Sequence, residues 1–310
     1  MQSRIARTVP PGGTIGMVGG GQLGRMFAFE AIRMGYQVIV FCGHVEEPAA
    51  QVATKTVTGN LADRETVMDF ARQCDVITLE FENIPAQTIA WCDEFAATYP
   101  SHQVLAVAQD RLLEKTRFAD AGLAVTPFAD VNDAGDVTAF ANEHGWPVVI
   151  KTARSGYDGK GQFRVQAINE ANAIPWDDAA AWIAEKWIGF EKEASVVVAR
   201  SCLGETRCFP VFENQHRNHI LDISFCPATL SSHQQQLAES IAIDAAEAIG
   251  LVGLLCVELF VVDDDTLLIN EVAPRPHNSG HLTIEACETS QFEQHVRAVC
   301  GLPLGSTLRS

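Results

Sequence analysis

Two acids near the C-terminus stand where a cation could be shared. Glu258 lies within the apolar run Gly253-Leu254-Leu255-Cys256-Val257-Glu258-Leu259-Phe260, and Glu271 follows Leu267-Leu268-Ile269-Asn270 after the turn-like Asp263-Asp264-Asp265. Read as a hairpin, the two runs bring both carboxylates onto neighbouring strands. Carboxylates so placed repel unless a cation lies between them, and a hard, oxygen-ligated ion such as Mg²⁺ suits them. Mg²⁺ in turn points to phosphate. The residues that follow Glu271 include Arg275, His277, Asn278, Ser279 and His281, whose guanidinium, imidazole, amide and hydroxyl groups suit an anion. Either glutamate alone reads as a solvent-facing or strand-capping residue; the polar cluster after Glu271 favours a site.

Three further segments offer phosphate or base contacts. Lys151 closes the apolar run Val148-Val149-Ile150, and just beyond it comes Ser155-Gly156-Tyr157-Asp158-Gly159-Lys160-Gly161-Gln162. Glycines permit close backbone approach, so this loop can fold over a polyphosphate. It lacks the Gly-Lys-Ser/Thr ending of a Walker A loop and could be a surface hairpin, but Lys151 within reach favours phosphate. Glu185 and Glu193 bracket Trp187, Ile188 and Phe190, an apolar surface for a flat base between acids that accept from an amine or a ribose; an amphipathic linker is the alternative. Gly19-x-Gly21-x-x-Gly24 matches the dinucleotide fingerprint between a strand at 14–18 and a helix at 25–34. The second strand, however, ends Val40-Phe41-Cys42-Gly43 without the acid that holds an adenosine ribose. These glycines either cradle a phosphorylated or ribose-bearing ligand at a helix N-terminus or allow tight helix–strand packing.

The frame for these groups can be bounded. With 310 residues and 33.6 kDa there is material for two ordinary domains or three small ones, and 47% hydrophobic residues supply a substantial core. No stretch approaches the ~20 apolar residues of a membrane span, and residues 1–11 lack the apolar region of a secretory signal. A net charge of −17 opposes non-specific binding to nucleic acid or anionic membrane, so any phosphate must be held by backbone N–H groups and a few placed cations. Nine cysteines without a Cys-x-x-Cys read as reduced thiols in a cytoplasmic protein.

Strands at 14–18, 37–41 and 76–81 alternate with helical segments, the second capped by Asp63, and predict a parallel sheet with helices on both faces. Glu80 and Glu82 fall at the C-terminal edge of the last of these strands, where such sheets bind ligands. The chain changes character near residue 107. A charged helix runs on to Gly122, strands follow at 148–151 and 194–199, and the 231–251 segment is a serine-capped helix ending at Gly250, expected to pack on the Glu258/Glu271 hairpin.

A basic residue in a helix, a strand lysine, a glycine loop, a linker acid pair and two glutamates, the second preceded by Asn, occur here in the order of the ATP-grasp family, which the chain resembles. The segments Gly20-Gly21-Gln22-Leu23-Gly24-Arg25-Met26, Glu80-Phe81-Glu82-Asn83, 156–162 and 273–281 are similar to the branch that carboxylates 5-aminoimidazole ribonucleotide, and the likeness covers 14–303. The resemblance implies an α/β protein: a Rossmann-like pre-ATP-grasp domain over 1–107, a small ATP-grasp lid subdomain over 108–190 and a large ATP-grasp subdomain with the Mg²⁺ site over 191–310. It implies an ATP-dependent carbon–nitrogen ligase of purine biosynthesis that uses bicarbonate, by way of carboxyphosphate, to carboxylate the substrate's exocyclic amine.

Site roles follow from the resemblance alone. Arg111, Lys151, Gly156, Tyr157, Asp158, Gly159, Lys160, Gly161, Gln162, Glu185, Lys186, Trp187, Ile188, Glu193, His216, Asn270 and Glu271 are expected to contact ATP, and Glu258 and Glu271 to hold Mg²⁺. Gln22, Leu23, Glu82, Tyr157, Arg275, His277, Asn278 and Ser279 are expected at the ribonucleotide. Lys151, Tyr157, Asp158 and Arg275 are the expected catalytic groups, with Asp158 taking the amine proton and Tyr157, Asp158 and Lys160 on a closing lid. A cytoplasmic homodimer is implied. Family members continue past Gly301-Leu302-Pro303-Leu304-Gly305 into a small basic C-terminal domain, whereas this sequence stops at Ser310. That domain is expected to be absent, which keeps a noncatalytic or regulatory ATP-binding protein as a second reading. A dinucleotide oxidoreductase is a third, and it leaves the paired glutamates without a role.

Overall fold

The computed structural model describes residues 8–154, 161–176, 181–218 and 220–310. The N-terminal elements are β1 (Thr14–Val18), α1 (Gln22–Arg33), β2 (Gln37–Cys42), β3 (Lys55–Thr58), α2 (Arg64–Ala71), β4 (Val76–Leu79), α3 (Ala86–Asp93), β5 (Ala97–Thr98) and α4 (His102–Ala108). They form a parallel sheet in the order β3-β2-β1-β4-β5. The central strands are nearly all buried along their length, as a sheet covered by helices on both faces requires. Asp63 caps α2 by accepting from the backbone N–H groups of Glu65 and Thr66. The strand expected third is therefore fourth in the chain. β3 escaped notice because Lys55-Thr56-Val57-Thr58 is an edge strand with one apolar residue, and no hydrophobic run marks it.

The middle of the chain supplies α5 (Arg111–Asp120), β6 (Phe128–Val131), α6 (Ala134–His144), β7 (Val148–Thr152), β8 (Gln162–Val165), α7 (Ile168–Ala171) and β9 (Trp182–Lys186). Its four strands pair antiparallel in the order β6-β9-β7-β8. The remainder comprises β10 (Lys192–Arg200), β11 (Thr206–Cys208), β12 (Phe212–Arg217), β13 (Ile220–Phe225), α8 (Ser232–Ala248), β14 (Gly253–Val261), β15 (Leu267–Ala273), a 3-10 turn (Asn278–Leu282), α9 (Thr283–Ala286) and α10 (Gln291–Cys300). This third sheet is antiparallel, ordered β13-β12-β10-β14-β15 with β11 beside β10.

α8 covers one face of the third sheet. Ser231 and Gln234 close a reciprocal capping box at its start, and Ala238, Ile241, Ala242 and Ala245 pack on Val196, Val198, Leu255 and Val257. On the other side, α10 ties the first sheet to the third: Phe292, Val296 and Val299 join the core beneath α1, and Ala298 joins that of Leu254 and Cys256. His295 sits in this seam fully buried, Nε2 2.8 Å from Thr78 Oγ1, and burial holds its pKa down at about 3. Among the described residues no helix is long and apolar enough to cross a membrane.

Candidate active site

β14 and β15 bring the two glutamates together. Glu258 lies directly opposite Glu271, Leu259 opposes Ile269, and the register shift between these pairs leaves Asn270 without an opposite residue. Residue alternation along a strand would send Asn270 and Glu271 to opposite faces. This bulge turns both into a cavity of about 750 Å³ between the second and third sheets, a volume suited to a nucleotide.

Every acid aimed into the cavity has a cationic or imidazole neighbour. Glu258 Oε1 is 3.1 Å from His277 Nε2, and Glu271 Oε2 is 3.3 Å from Arg111 Nη2. Glu185 Oε2 accepts from Lys151 Nζ at 3.0 Å, and Glu193 Oε2 lies 2.8 Å from His216 Nδ1. Arg275 grips Glu82 with two parallel bonds, one of them Nη2 to Oε1 at 2.9 Å. Burial alone would raise Glu82 and Glu185, but Arg275 and the lysines Lys151 and Lys115 outweigh it and hold both below the usual carboxylate range. The hydrogen bond that the His216 ring donates to Glu193 raises the pKa of His216. Cations expected from outside the protein thus have internal substitutes, which a bound metal and nucleotide would exchange.

Glu258 is oriented from behind by a buried polar chain. Ser224 Oγ donates to Asn214 Oδ1, Asn214 Nδ2 to Ser195 Oγ, and Ser195 Oγ to Ser279 Oγ, each at 2.9 Å. Ser279 Oγ is 2.9 Å from His277 Nδ1, and the Ser279 N–H donates to the same nitrogen at 3.2 Å. Nε2 therefore carries the hydrogen that faces Glu258.

The donor set fits Mg²⁺. Two carboxylates on adjacent strands and the Asn270 amide are hard oxygen donors, and Mg²⁺ takes one or two carboxylates and completes its octahedron with water and phosphate. Among the described residues no group of three or more His, Cys, Asp or Glu forms a closed metal cage. At the far end of the cavity Phe190 stacks on Phe260, with centroids 4.5 Å apart and planes 4° from parallel, and Arg164 lies 3.9 Å over the Trp187 ring. These rings and Ile188 give the flat apolar wall expected for a base.

The glycine loop is filled by the protein itself. Gly21 N–H donates to Glu80 Oε1 and Gly24 N–H to Glu80 Oε2, the latter at 2.9 Å. A Cβ on Gly21 would stand 2.7 Å from Glu80 Oε1, so glycine is needed to admit this carboxylate. Of the two readings of these glycines, a ligand cradle and tight packing, the structure shows the helix N-terminus holding the Glu80 carboxylate.

Most residues singled out in the sequence line this cavity: Glu82, Arg111, Lys151, Gln162, Glu185 through Ile188, Glu193, His216, Glu258, Asn270, Glu271, Arg275, His277 and Asn278. Ser279 does not; it is fully buried and spends its hydroxyl on Ser195 and His277, so it supports the site rather than facing it. Gln22 and Leu23 begin α1 and are not among the residues lining this cavity, and Gly161, at φ +70°, makes the turn into β8. Gly156, Tyr157, Asp158, Gly159 and Lys160 lie outside the described residues. Sequence reading missed Glu114 and Lys115, taken there as part of a charged helix. They are 3% and 1% exposed and bond the backbone of β15, and Glu114 also lines the cavity; their sharing a helix face with Phe118 was the available signal.

The family models divide the chain at the same break in character. The ATP-grasp domain matches residues 116–292, and the ribonucleotide synthetase preATP-grasp domain matches 13–109. Fold and site together define an ATP-grasp protein. The chain is 44% identical over 300 residues to the N5-carboxyaminoimidazole ribonucleotide synthase of Bacillus subtilis (strain 168), covering 96% of this chain and 78% of the relative. It is 42% identical over 305 residues to the Brucella melitensis enzyme of that name, covering 97% and 84%. An N5-carboxyaminoimidazole ribonucleotide synthetase solved with ADP superposes with a TM-score of 0.93 at 44% identity over 98% of this chain and 81% of the other. The Aspergillus clavatus synthase solved with ADP and 5-aminoimidazole ribonucleotide gives 0.86 at 30% identity, over 96% and 78%. The chain belongs to the N5-carboxyaminoimidazole ribonucleotide synthase family.

Proposed function

We propose that this chain uses ATP and bicarbonate to carboxylate the exocyclic amine of 5-aminoimidazole ribonucleotide, releasing ADP and phosphate. The carrying observation is a single cavity in which paired carboxylates and an apolar base wall face the Arg275–Glu82 pair across about 750 Å³. Glu258 and Glu271, with Asn270, would hold Mg²⁺, whose charge would offset that of the β- and γ-phosphates. Phe190, Phe260 and Ile188 would seat the adenine, and Glu185 through Ile188 would read its edge. Lys151, released from Glu185, and Arg111, released from Glu271, would neutralise the phosphates. Arg275, His277 and Asn278 would hold the ribonucleotide.

In the first step a bicarbonate oxygen attacks the γ-phosphorus, the bond to the ADP oxygen breaks, and carboxyphosphate forms. The protein's part is to position the reactants and offset charge. In the second step the substrate amine attacks the carboxyl carbon, phosphate leaves, and the amine gives up a proton. We assign that proton to Asp158 and the exclusion of water to the loop carrying Tyr157 and Lys160. We further propose a division at 1–107, 108–190 and 191–310 and a cytoplasmic homodimer.

The test is ADP release. It should require both bicarbonate and aminoimidazole ribonucleotide, and ADP formation independent of the ribonucleotide would refute the assignment. Asp158→Asn should lower coupled turnover at saturating ATP and bicarbonate; full turnover would remove Asp158 from the proton's path.

A further inference from the structure

We propose that Glu114 and Lys115 of α5 are positioning residues that clamp the β15 bulge and so set the aim of Asn270 and Glu271; this rests on the reading of Glu271 as a Mg²⁺ ligand. β15 is an edge strand, and its outward backbone groups must find partners outside the sheet. Those of Ile269 do so on the segment that follows α5: its N–H donates to Ala124 O at 2.9 Å, and its carbonyl accepts from Thr126 N–H at 3.5 Å. Beyond Ile269 the bulge breaks the alternation, and α5 takes over. Lys115 Nζ donates to the Asn270 carbonyl at 3.0 Å, and Glu114 Oε2 accepts from Val272 N–H at 3.4 Å. Two consecutive helix residues therefore seize the backbone on either side of Glu271.

Simple core filling does not account for this choice of side chains. A buried ammonium or carboxylate is costly unless paired, and methionine or leucine would fill the same space without that cost. Lys115 is 1% exposed, and its Nζ also lies 3.8 Å from Glu185 Oε2, so one cation joins α5, β9 and β15. Glu114 is 3% exposed, and its Oε1 has no hydrogen-bond partner among the described residues. The clamp takes the backbone on either side of Glu271 and leaves its carboxylate to turn into the cavity, which Glu114 itself also lines.

The experiment compares wild type with Lys115→Met in two measurements: amide hydrogen exchange of the 267–273 segment in the ligand-free protein, and titration of Mg²⁺ into protein saturated with ADP. Supporting groups behind metal ligands typically change affinity by about 10- to 100-fold. We expect faster exchange at 270–273 and Mg²⁺ binding weakened by about tenfold or more. Glu114→Gln, which keeps the acceptor for Val272, should retain slow exchange and near-normal Mg²⁺ affinity. If Lys115→Met does not fold, the pair Glu114→Gln and Glu114→Leu is read in the same way, with only the second loosening the strand. Unchanged exchange in a folded variant overturns the clamp whatever the metal does. Faster exchange with unchanged Mg²⁺ affinity overturns its role at the metal when Glu271→Gln does weaken Mg²⁺; if Glu271→Gln also has no effect, it is the Mg²⁺ reading that fails.

Discussion

The glycine loop and the β15 bulge both gather carboxylates, and they treat them oppositely. At the loop, Glu80 is 6% exposed, and its two oxygens are taken by the amides of Gly21 and Gly24. At the bulge, the Glu271 side chain is 44% exposed, and among the described residues it pairs with the Arg111 guanidinium. A carboxylate satisfied by backbone amides is a structural bond. One paired with a side-chain cation, opposite a second carboxylate, is the arrangement a bound cation would stabilise. A ligand site is thus marked less by resemblance to a binding motif than by charge the fold leaves exchangeable.

Substitution should separate the two. Glu271→Gln removes a charge from the proposed Mg²⁺ site and is expected to lower kcat by about 10²- to 10³-fold, with unfolding temperature unchanged or slightly raised because repulsion with Glu258 is relieved. Steady-state kinetics beside thermal denaturation checks both parts, and a large loss of stability would erase the contrast. Glu80→Gln leaves one loop amide without its acceptor and should lower unfolding free energy by about 2 kcal/mol while kcat stays within a few fold, as read by chemical denaturation. A collapse of kcat without loss of stability would make the loop a reaction site.

The smallest effect concerns the seam that fixes both regions to one frame. Burial depresses His295 to about 3, below its ordinary 6.5, so the unfolded chain binds the extra proton, and stability falls as pH drops from 6.5 toward 3. His295→Gln should flatten that acid limb by about 1 kcal/mol per pH unit between pH 6 and 4. An unchanged slope in pH-dependent denaturation would show that His295 is not the group responsible.

Local signals carried much of this far. Asp63 and Ser231 announced helix starts that the structure keeps, the Glu258 and Glu271 runs read as a hairpin in which the structure sets the two acids opposite each other, and Lys151 closes a strand as its apolar run suggested. Such signals survive because caps, strands and turns depend on neighbours a few residues away. The order of chemical groups along the chain, and with it the family, was settled there. Tertiary structure decided which groups are open. Glu80 meets its amides across 56 and 59 residues of sequence, and Lys115 meets Asn270 across 155. Whether a charge ends buried, paired or exposed depends on contacts at that range, and no local pattern of residues encodes them. For that reason a glycine loop that read either as a cradle or as a packing device proved to hold Glu80, and a helix noted only as charged proved to bury Glu114 and Lys115 against β15.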